Sequence, residues 1–210
     1  MNEQVERILV LSPYTSDGVI SAGGSISRLI EEGKQVFYTA FCINNINNPH
    51  VSSKYLSEEC LRSLYEIGIP EKNIRLYNFK PRLLYRLRQD ILDIMISIGK
   101  ELRPNLIICP SSFDTNQDHH IIYEESFRAY KKTSSIWGMD QPWSNLYSRT
   151  DIFLELNEKH IRRKIESLMK YKYQYKEIFK DDFVRACAYT KGMTINVKLA
   201  EAFECIRIIV

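Results

Sequence analysis

Arg7-Ile-Leu-Val-Leu-Ser12 is a short apolar run that breaks at once into turn chemistry, Pro13-Tyr-Thr-Ser-Asp-Gly18. The run reads as a strand, and the residues from Val19 to Glu32 suit a helix that Gly33 stops. Gln35-Val-Phe-Tyr-Thr-Ala-Phe-Cys42, rich in β-branched and aromatic residues, reads as a second strand. The same alternation continues along the chain. Asn44 to Ser53 is polar and loop-like, Tyr55 to Ile67 is helical with Gly68 as its stop, and Asn73-Ile-Arg-Leu-Tyr77 is a third strand. Leu84, Leu87, Ile91, Ile94, Ile98 and Leu102 recur at spacings of three and four, which predicts a helix that Pro104 ends. Asn105-Leu-Ile-Ile-Cys-Pro110 reads as a buried strand, and a further helix is expected near Ile121 to Lys131. Thr150 to Leu156 reads as a strand, Glu158 to Lys176 as a helix, and Ile206 to Val210 as a closing strand. Thr133 to Ser148, which carries Trp137 and Trp143, is expected to be an irregular excursion.

Short apolar strands alternating with longer helices imply an α/β fold of Rossmann-like type, a mainly parallel sheet with helices on both faces. No repeat or linker divides the sequence, so one domain over residues 1–210 is expected. The composition agrees: 44% hydrophobic and 26% charged residues are globular proportions. With 29 basic against 26 acidic residues the net charge is only +3, so bulk charge implies no nucleic-acid partner. No apolar run approaches the roughly 18 residues of a membrane span. Met1-Asn-Glu-Gln-Val-Glu-Arg7 lacks the basic-then-apolar layout of a signal peptide. Five scattered cysteines without a C-x-x-C read as reduced thiols, and a cytoplasmic location is the expectation.

In a parallel sheet with helices on both faces, the site lies beyond the carboxyl ends of the strands. That singles out two loops, Ser12–Gly24 and Pro110–His120. The second reads Pro110-Ser-Ser-Phe-Asp-Thr-Asn-Gln-Asp-His-His120, and the first offers Asp17 as a facing carboxylate. A carboxylate and an imidazole can hold a divalent metal together, or one can orient the other. Structural readings stand beside these: Asp17 could cap the following helix, His119 could be bonded to Asp118, and His120 suits an exposed or packing role. Tyr14, Ser16, Asp17 and His119 together contain the residue types of a serine-nucleophile centre. The basic run Lys159, Arg162, Arg163, Lys164, Lys170, Lys172 and Lys176 suits a solvated helix face or an anion patch.

Leu9-Val-Leu-Ser-Pro-Tyr-Thr-Ser-Asp-Gly-Val-Ile-Ser-Ala-Gly-Gly24 resembles the opening of the PIG-L/LmbE-type zinc deacetylases, whose signature there is S-P-H-P-D-D-E before a helix carrying G-G. The second loop is similar to their D-x-H-x-D-H motif. Lys164 to Gln174 and Gly192 through Ala200-Glu-Ala-Phe203 parallel their tail motifs. Pro110-Ser-Ser-Phe-Asp, Gln117-Asp-His, Tyr123-Glu-Glu and Gln141-Pro-Trp resemble a subgroup found with bacterial surface-glycan synthesis genes.

The resemblance implies an LmbE-like fold and zinc-dependent removal of acetyl groups from N-acetylated sugars, but the residues depart from it at the chemical centre. Of three family ligands, Asp17 and His119 remain as metal candidates, and Tyr14 stands where the family has histidine. Ser16 replaces the family's general base, Gly18 its following glutamate, and Asn116 its acid or oxyanion stabiliser, while Asp118 is retained. The resemblance makes Ser16, Asn116 and Asp118 the catalytic positions and Tyr14 a candidate substrate contact. Trp137 and Trp143 are further candidate substrate contacts, placed where an aromatic wall for a sugar could lie, although packing is the commoner use of such residues. Zinc catalysis wants about three protein ligands and an open water position. A tyrosine, with a pKa near 10, is a poor stand-in for imidazole, and serine accepts no proton at neutral pH without a base behind it. The expectation is a divergent member with an impaired centre, working in surface-glycan or amino-sugar metabolism on an N-acetylated sugar or sugar nucleotide. A homo-oligomer or a partner deacetylase is compatible with this reading. The alternative is a working N-deacetylase whose metal is held by Asp17, His119 and a third group.

Overall fold

The structure is a computed structural model and describes residues 6–43, 50–172 and 180–210. Seven strands and six α-helices follow one another within those residues: β1 (Arg7–Tyr14), α1 (Asp17–Glu31), β2 (Gln35–Cys42), α2 (Ser53–Ile67), β3 (Ile74–Leu76), α3 (Arg88–Leu102), β4 (Leu106–Pro110), α4 (Gln117–Tyr130), β5 (Ser135–Met139), β6 (Ile152–Glu155), α5 (Glu158–Leu168), α6 (Asp181–Thr194) and β7 (Ala200–Arg207). The strands form one sheet in the order β3-β2-β1-β4-β5-β7-β6. The first five pair in parallel, and β7 runs antiparallel to both β5 and β6.

The opening apolar run occupies the middle of this sheet, and its alternation fills two cores. Ile8 and Val10 face the layer of α1, α2, α5 and α6, where they meet residues such as Ile26, Leu64, Ile161 and Val184. Leu9 and Leu11 face α3 and α4, packing with Ile91, Met95 and Ile122. A strand covered on both faces has no polar side, which is why every residue from Ile8 to Leu11 is apolar and fully buried. Helix α1 is itself buried along most of its length. Its small residues permit that: a Cβ at Gly24 would lie 2.5 Å from Leu156 Cδ1, so a larger residue there would have to push the Leu156 side chain aside. None of the helices among the described residues is long and apolar enough to cross a membrane.

The structure corrects several sequence expectations. Residues 135–139, expected within an irregular stretch, are the fifth strand, paired with β4 on one side and β7 on the other. A five-residue segment containing Gly138 carries too little local signal; its strand state comes from the two neighbours. The closing strand lies at Ala200–Arg207, earlier than expected, while Ile208, Ile209 and Val210 are exposed. Buried Glu201 and Glu204 mask the strand pattern there. Helix α6 has no counterpart among the sequence expectations. The long periodic stretch from Leu84 is a single turn of 3-10 helix, Leu84–Arg86, followed by α3 from Arg88. The helix expected from Glu158 to Lys176 runs to Leu168, and residues 173–176 of that expectation lie outside the described residues, as do 44–49 of the expected Asn44–Ser53 loop.

Candidate active centre at the switch point of the sheet

From β1 the chain moves outward through β2 and β3, then returns to place β4 on the other side of β1. The loops leaving β1 and β4 therefore diverge at a topological switch point, the natural position for a ligand in such a sheet. Both loops singled out from the sequence end here, and the structure brings Tyr14, Asp17, Asn116, Asp118 and His119 together.

Asp17 is the first residue of α1 and is 2% exposed. It does not act as the helix cap, a position held by Ser16. Its Oδ2 accepts the backbone N–H of Tyr14 at 2.8 Å, closing the turn, and lies 3.3 Å from His119 Nε2. His119 enters on the first turn of α4, whose N-cap is Asn116: the Asn116 side-chain oxygen accepts from the N–H groups of Asp118 and His119. The other imidazole nitrogen, Nδ1, is 2.7 Å from Asp114 Oδ2. The partner of His119 is thus Asp114 and not the adjacent Asp118. Burial on its own would lower the His119 pKa, but the carboxylates of Asp17 and Asp114 outweigh it and push the value up to about 10. An Asp17–His119–Asp114 row results, with the charged imidazole bonded to Asp114 through Nδ1 and facing Asp17 through Nε2 at ion-pair distance without a hydrogen bond.

Asp118, also buried, serves a different partner. Its Oδ2 accepts the Tyr14 hydroxyl at 2.7 Å and the backbone N–H of Arg82 at 2.6 Å, and its Oδ1 has no hydrogen-bond partner. Burial and the Asp118 carboxylate hold the Tyr14 phenol far above its ordinary pKa, so Tyr14 is a neutral donor at this position. Its ring lies 5.6 Å from the His119 ring, tilted by 55°. Ser16 Oγ is buried and makes no hydrogen bond, so no serine–histidine pairing exists.

The first loop is held from behind. The Thr15 carbonyl accepts from the hydroxyls of Tyr38 and Tyr171, which gives the Tyr171 of the tail motif a physical role in shaping the site. Tyr38 also fills the space beside Gly18: a Cβ there would lie 2.7 Å from its ring. The second loop is tied to β7 by Glu204, which accepts from the Ser111 hydroxyl and the Ser112 N–H, each at 2.8 Å.

The two tryptophans are placed differently. Trp137 is a buried residue of β5 packed on Phe203, while Trp143 is half-exposed in the 140–148 segment. That segment leans on the second loop through the Phe113–Leu146 and Thr115–Ser144 backbone bonds. His120 is exposed beside Glu124, as expected. Three members of the basic run are ion-paired, Lys159 on Glu31, Lys170 beyond the end of α5 on Glu66, and buried Lys164 on Glu201 at 2.6 Å, while Lys176 lies outside the described residues. Asp114, Tyr38, Arg82 and Glu204 were missed as site residues. Asp114 alone left a signal, as the leading acid of the quoted D-x-H-x-D-H-like stretch.

This donor set does not fit a three-ligand zinc centre. Asp17 Oδ2 and His119 Nε2 converge, but the third corner is a neutral tyrosine already committed to Asp118. Among the described residues, no group of three His, Cys, Asp or Glu side chains could hold a metal ion.

The fold and this centre define a Rossmann-like α/β protein with a carboxylate–histidine site at the switch point. The family profile described as PIG-L, GlcNAc-PI de-N-acetylase, matches residues 9–130, and the chain belongs to that family. Among solved structures, N,N'-diacetylchitobiose deacetylase from Pyrococcus horikoshii superposes with a TM-score of 0.78 at 17% identity, covering 96% of this chain and 84% of that one. GalB, the 4-carboxy-2-hydroxymuconate hydratase of Pseudomonas putida, reaches a TM-score of 0.81 at 17% identity over 98% of each chain. A teicoplanin deacetylase in its zinc-inhibited form gives 0.77 at 14% identity, over 94% and 96% respectively. These likenesses are of fold, and the fold carries both deacetylases and a hydratase. No curated protein matches the chain by sequence.

Proposed function

We propose that this chain is a PIG-L family protein whose centre has departed from zinc-dependent hydrolysis and serves to bind an N-acetylated sugar or sugar nucleotide. It acts beside a deacetylase in bacterial surface-glycan or amino-sugar metabolism, in the cytoplasm. The observation that carries this reading is the Tyr14 hydroxyl on Asp118 at 2.7 Å, at the position where the family resemblance puts a zinc-binding histidine. Two further features support it. Ser16 stands in place of the proton acceptor, and Tyr38 occupies the space that a side chain at position 18 would need. The centre that remains is a network of fixed polar groups, the Asp17–His119–Asp114 row and the Tyr14–Asp118 pair, in which Asp118 Oδ1 has no hydrogen-bond partner.

The retained Asp17–His119 pair favours a second reading, an active N-deacetylase that recruits a third metal ligand. Zinc content of chain purified without chelator, with acetate release from N-acetylglucosamine, N-acetylgalactosamine and UDP-N-acetylglucosamine, separates the two. The proposal expects sub-stoichiometric zinc, no acetate, and calorimetric binding of at least one of these compounds. Stoichiometric zinc with turnover would establish the deacetylase instead.

A further inference from the structure

A half-open cavity of about 510 Å³ lies where β1 and β4 begin, between the carboxyl ends of α3 and α4. Its size is in the range of small-molecule pockets, about 300–1,000 Å³. Arg7, on its wall, is the first residue of β1, and Tyr14 is the last. At about 3.3 Å per residue, this places the cavity roughly 23 Å from the Asp17–His119 centre, at the opposite edge of the sheet.

Three cations line the cavity, Arg7, Lys100 and Arg103, and no acidic side chain lines it among the described residues. None of the three forms an ion pair there, and Glu101, the acid next to Lys100, is taken by Arg75. Lys100 and Arg103 are exposed. Arg7 Nε is buried without a partner and sealed off, so the Nη groups are the ends that can serve a ligand. Asn105 adds a neutral donor. Its Oδ1 accepts the backbone N–H groups of Glu6 and Arg7 at 3.2 and 3.1 Å, which fixes the amide and leaves its NH2 group as the free end. Arg103 sits at φ +46°, the left-handed conformation for which glycine is the ordinary choice after a helix. The chain keeps a guanidinium where any side chain carries a penalty.

Cations in the last turn of a helix ordinarily offset its carboxyl end, which carries about half a negative charge. Two such ends meet at this cavity, so three full positive charges exceed them by about two. A phosphate monoester carries about −1.5 to −2 at neutral pH and three acceptor oxygens. Apolar Ile96 and Ala129 on the same walls leave room for an organic body.

We propose that this cavity is a second binding site, for the phosphate group of a small molecule. The proposal is independent of what the Asp17–His119 centre binds or hydrolyses.

Phosphorus NMR titration of the full chain with glucose 6-phosphate and with inorganic phosphate tests it, beside calorimetric titration with glucose as the uncharged comparison. The ester should bind, more weakly as sodium chloride is raised, and glucose should not. Arg7→Gln and Arg103→Gly should each weaken binding by about tenfold, the loss of one charged hydrogen bond. Glycine accepts the left-handed backbone, so the second variant folds without strain. Lys72→Gln removes an exposed charge outside the cavity and should leave the affinity unchanged. Tighter binding of the ester than of inorganic phosphate would support an organic ligand, and equal binding would support free phosphate. Affinity undiminished in both arginine variants would put the anion elsewhere and overturn the proposal. A loss in Lys72→Gln as large as in Arg7→Gln would show bulk charge at work and overturn it as well. Absence of binding at millimolar concentrations of both phosphates would show that the three cations only balance the two helix ends, and would overturn it too.

Discussion

Restoring the family's residues at the centre tests the altered-site reading most directly. Tyr14→His with Ser16→Asp rebuilds the third ligand and the proton acceptor on the same turn as Asp17. The structure sets what this costs without metal. Tyr14 donates to the buried Asp118 carboxylate at 2.7 Å, and a hydrogen bond to a charged group contributes about 1.5–3 kcal/mol. For a chain of this length each kcal/mol moves the melting point by about 2–4 °C, so the metal-free variant should melt about 3–12 °C below the parent. The Ser16→Asp change adds a second acid beside Asp17 in a buried place and pushes in the same direction. Zinc then reverses the loss. A ligand at about 100 times its Kd adds about 2.7 kcal/mol of stability, or roughly 5–11 °C at the same conversion. Thermal unfolding with and without zinc, run beside an acetate-release assay, measures both arms. The parent should show no zinc-dependent rise and the variant a clear one. A folded variant whose melting point ignores zinc would refute the assignment of Tyr14 and Ser16 to the ligand and base positions. A parent that already gains stability from stoichiometric zinc would refute the altered-centre reading itself.

The clamped imidazole predicts a pH dependence: the His119 pKa rises from an ordinary 6.5 to about 10 in the folded chain. Its charged form therefore stabilises the fold fully below about pH 6.5, and that contribution drains away as pH climbs toward about 10. The melting point should fall over that window, with the slope reduced in His119→Gln; an unchanged slope in the variant would show that the imidazole is not the group responsible. Lys164→Met leaves Glu201 buried with only the Gly24 and Ser25 N–H groups as donors, so urea unfolding should register a loss of about 3–5 kcal/mol. Most of it should return in Lys164→Met with Glu201→Leu, and a double variant as unstable as the single would contradict this account. Gly18→Ala drives a methyl group against the Tyr38 ring and should cost about 1–3 kcal/mol; a neutral result by the same assay would mean that Tyr38 moves aside freely.

Much of the centre was legible in the sequence because it sits on two short loops that each follow an apolar run. Asp17 and His119 were found from that placement, and the family resemblance marked Tyr14, Ser16, Asn116 and Asp118. Their pairings were not legible. The imidazole takes Asp114, five residues back, because capping by Asn116 turns α4 so that Nδ1 meets that acid. The phenol reaches Asp118 across 104 residues, a contact that no local pattern encodes.

The same division holds for the fold. Apolar runs and helical periodicity are local properties, so Arg7–Ser12, Gln35–Cys42 and Asn105–Pro110 declared themselves as strands, and a parallel α/β sheet followed from their alternation with helices. Strand β5 and the antiparallel β7 were decided by tertiary structure. Ser135–Met139 is a strand because β4 and β7 supply its hydrogen bonds. The acidic pattern of β7 is tolerated because Lys164 and backbone N–H groups meet Glu201, and Ser111 and Ser112 meet Glu204. A sequence determines by itself what its near neighbours can satisfy. Partners brought from more than a hundred residues away exist only once the chain has folded.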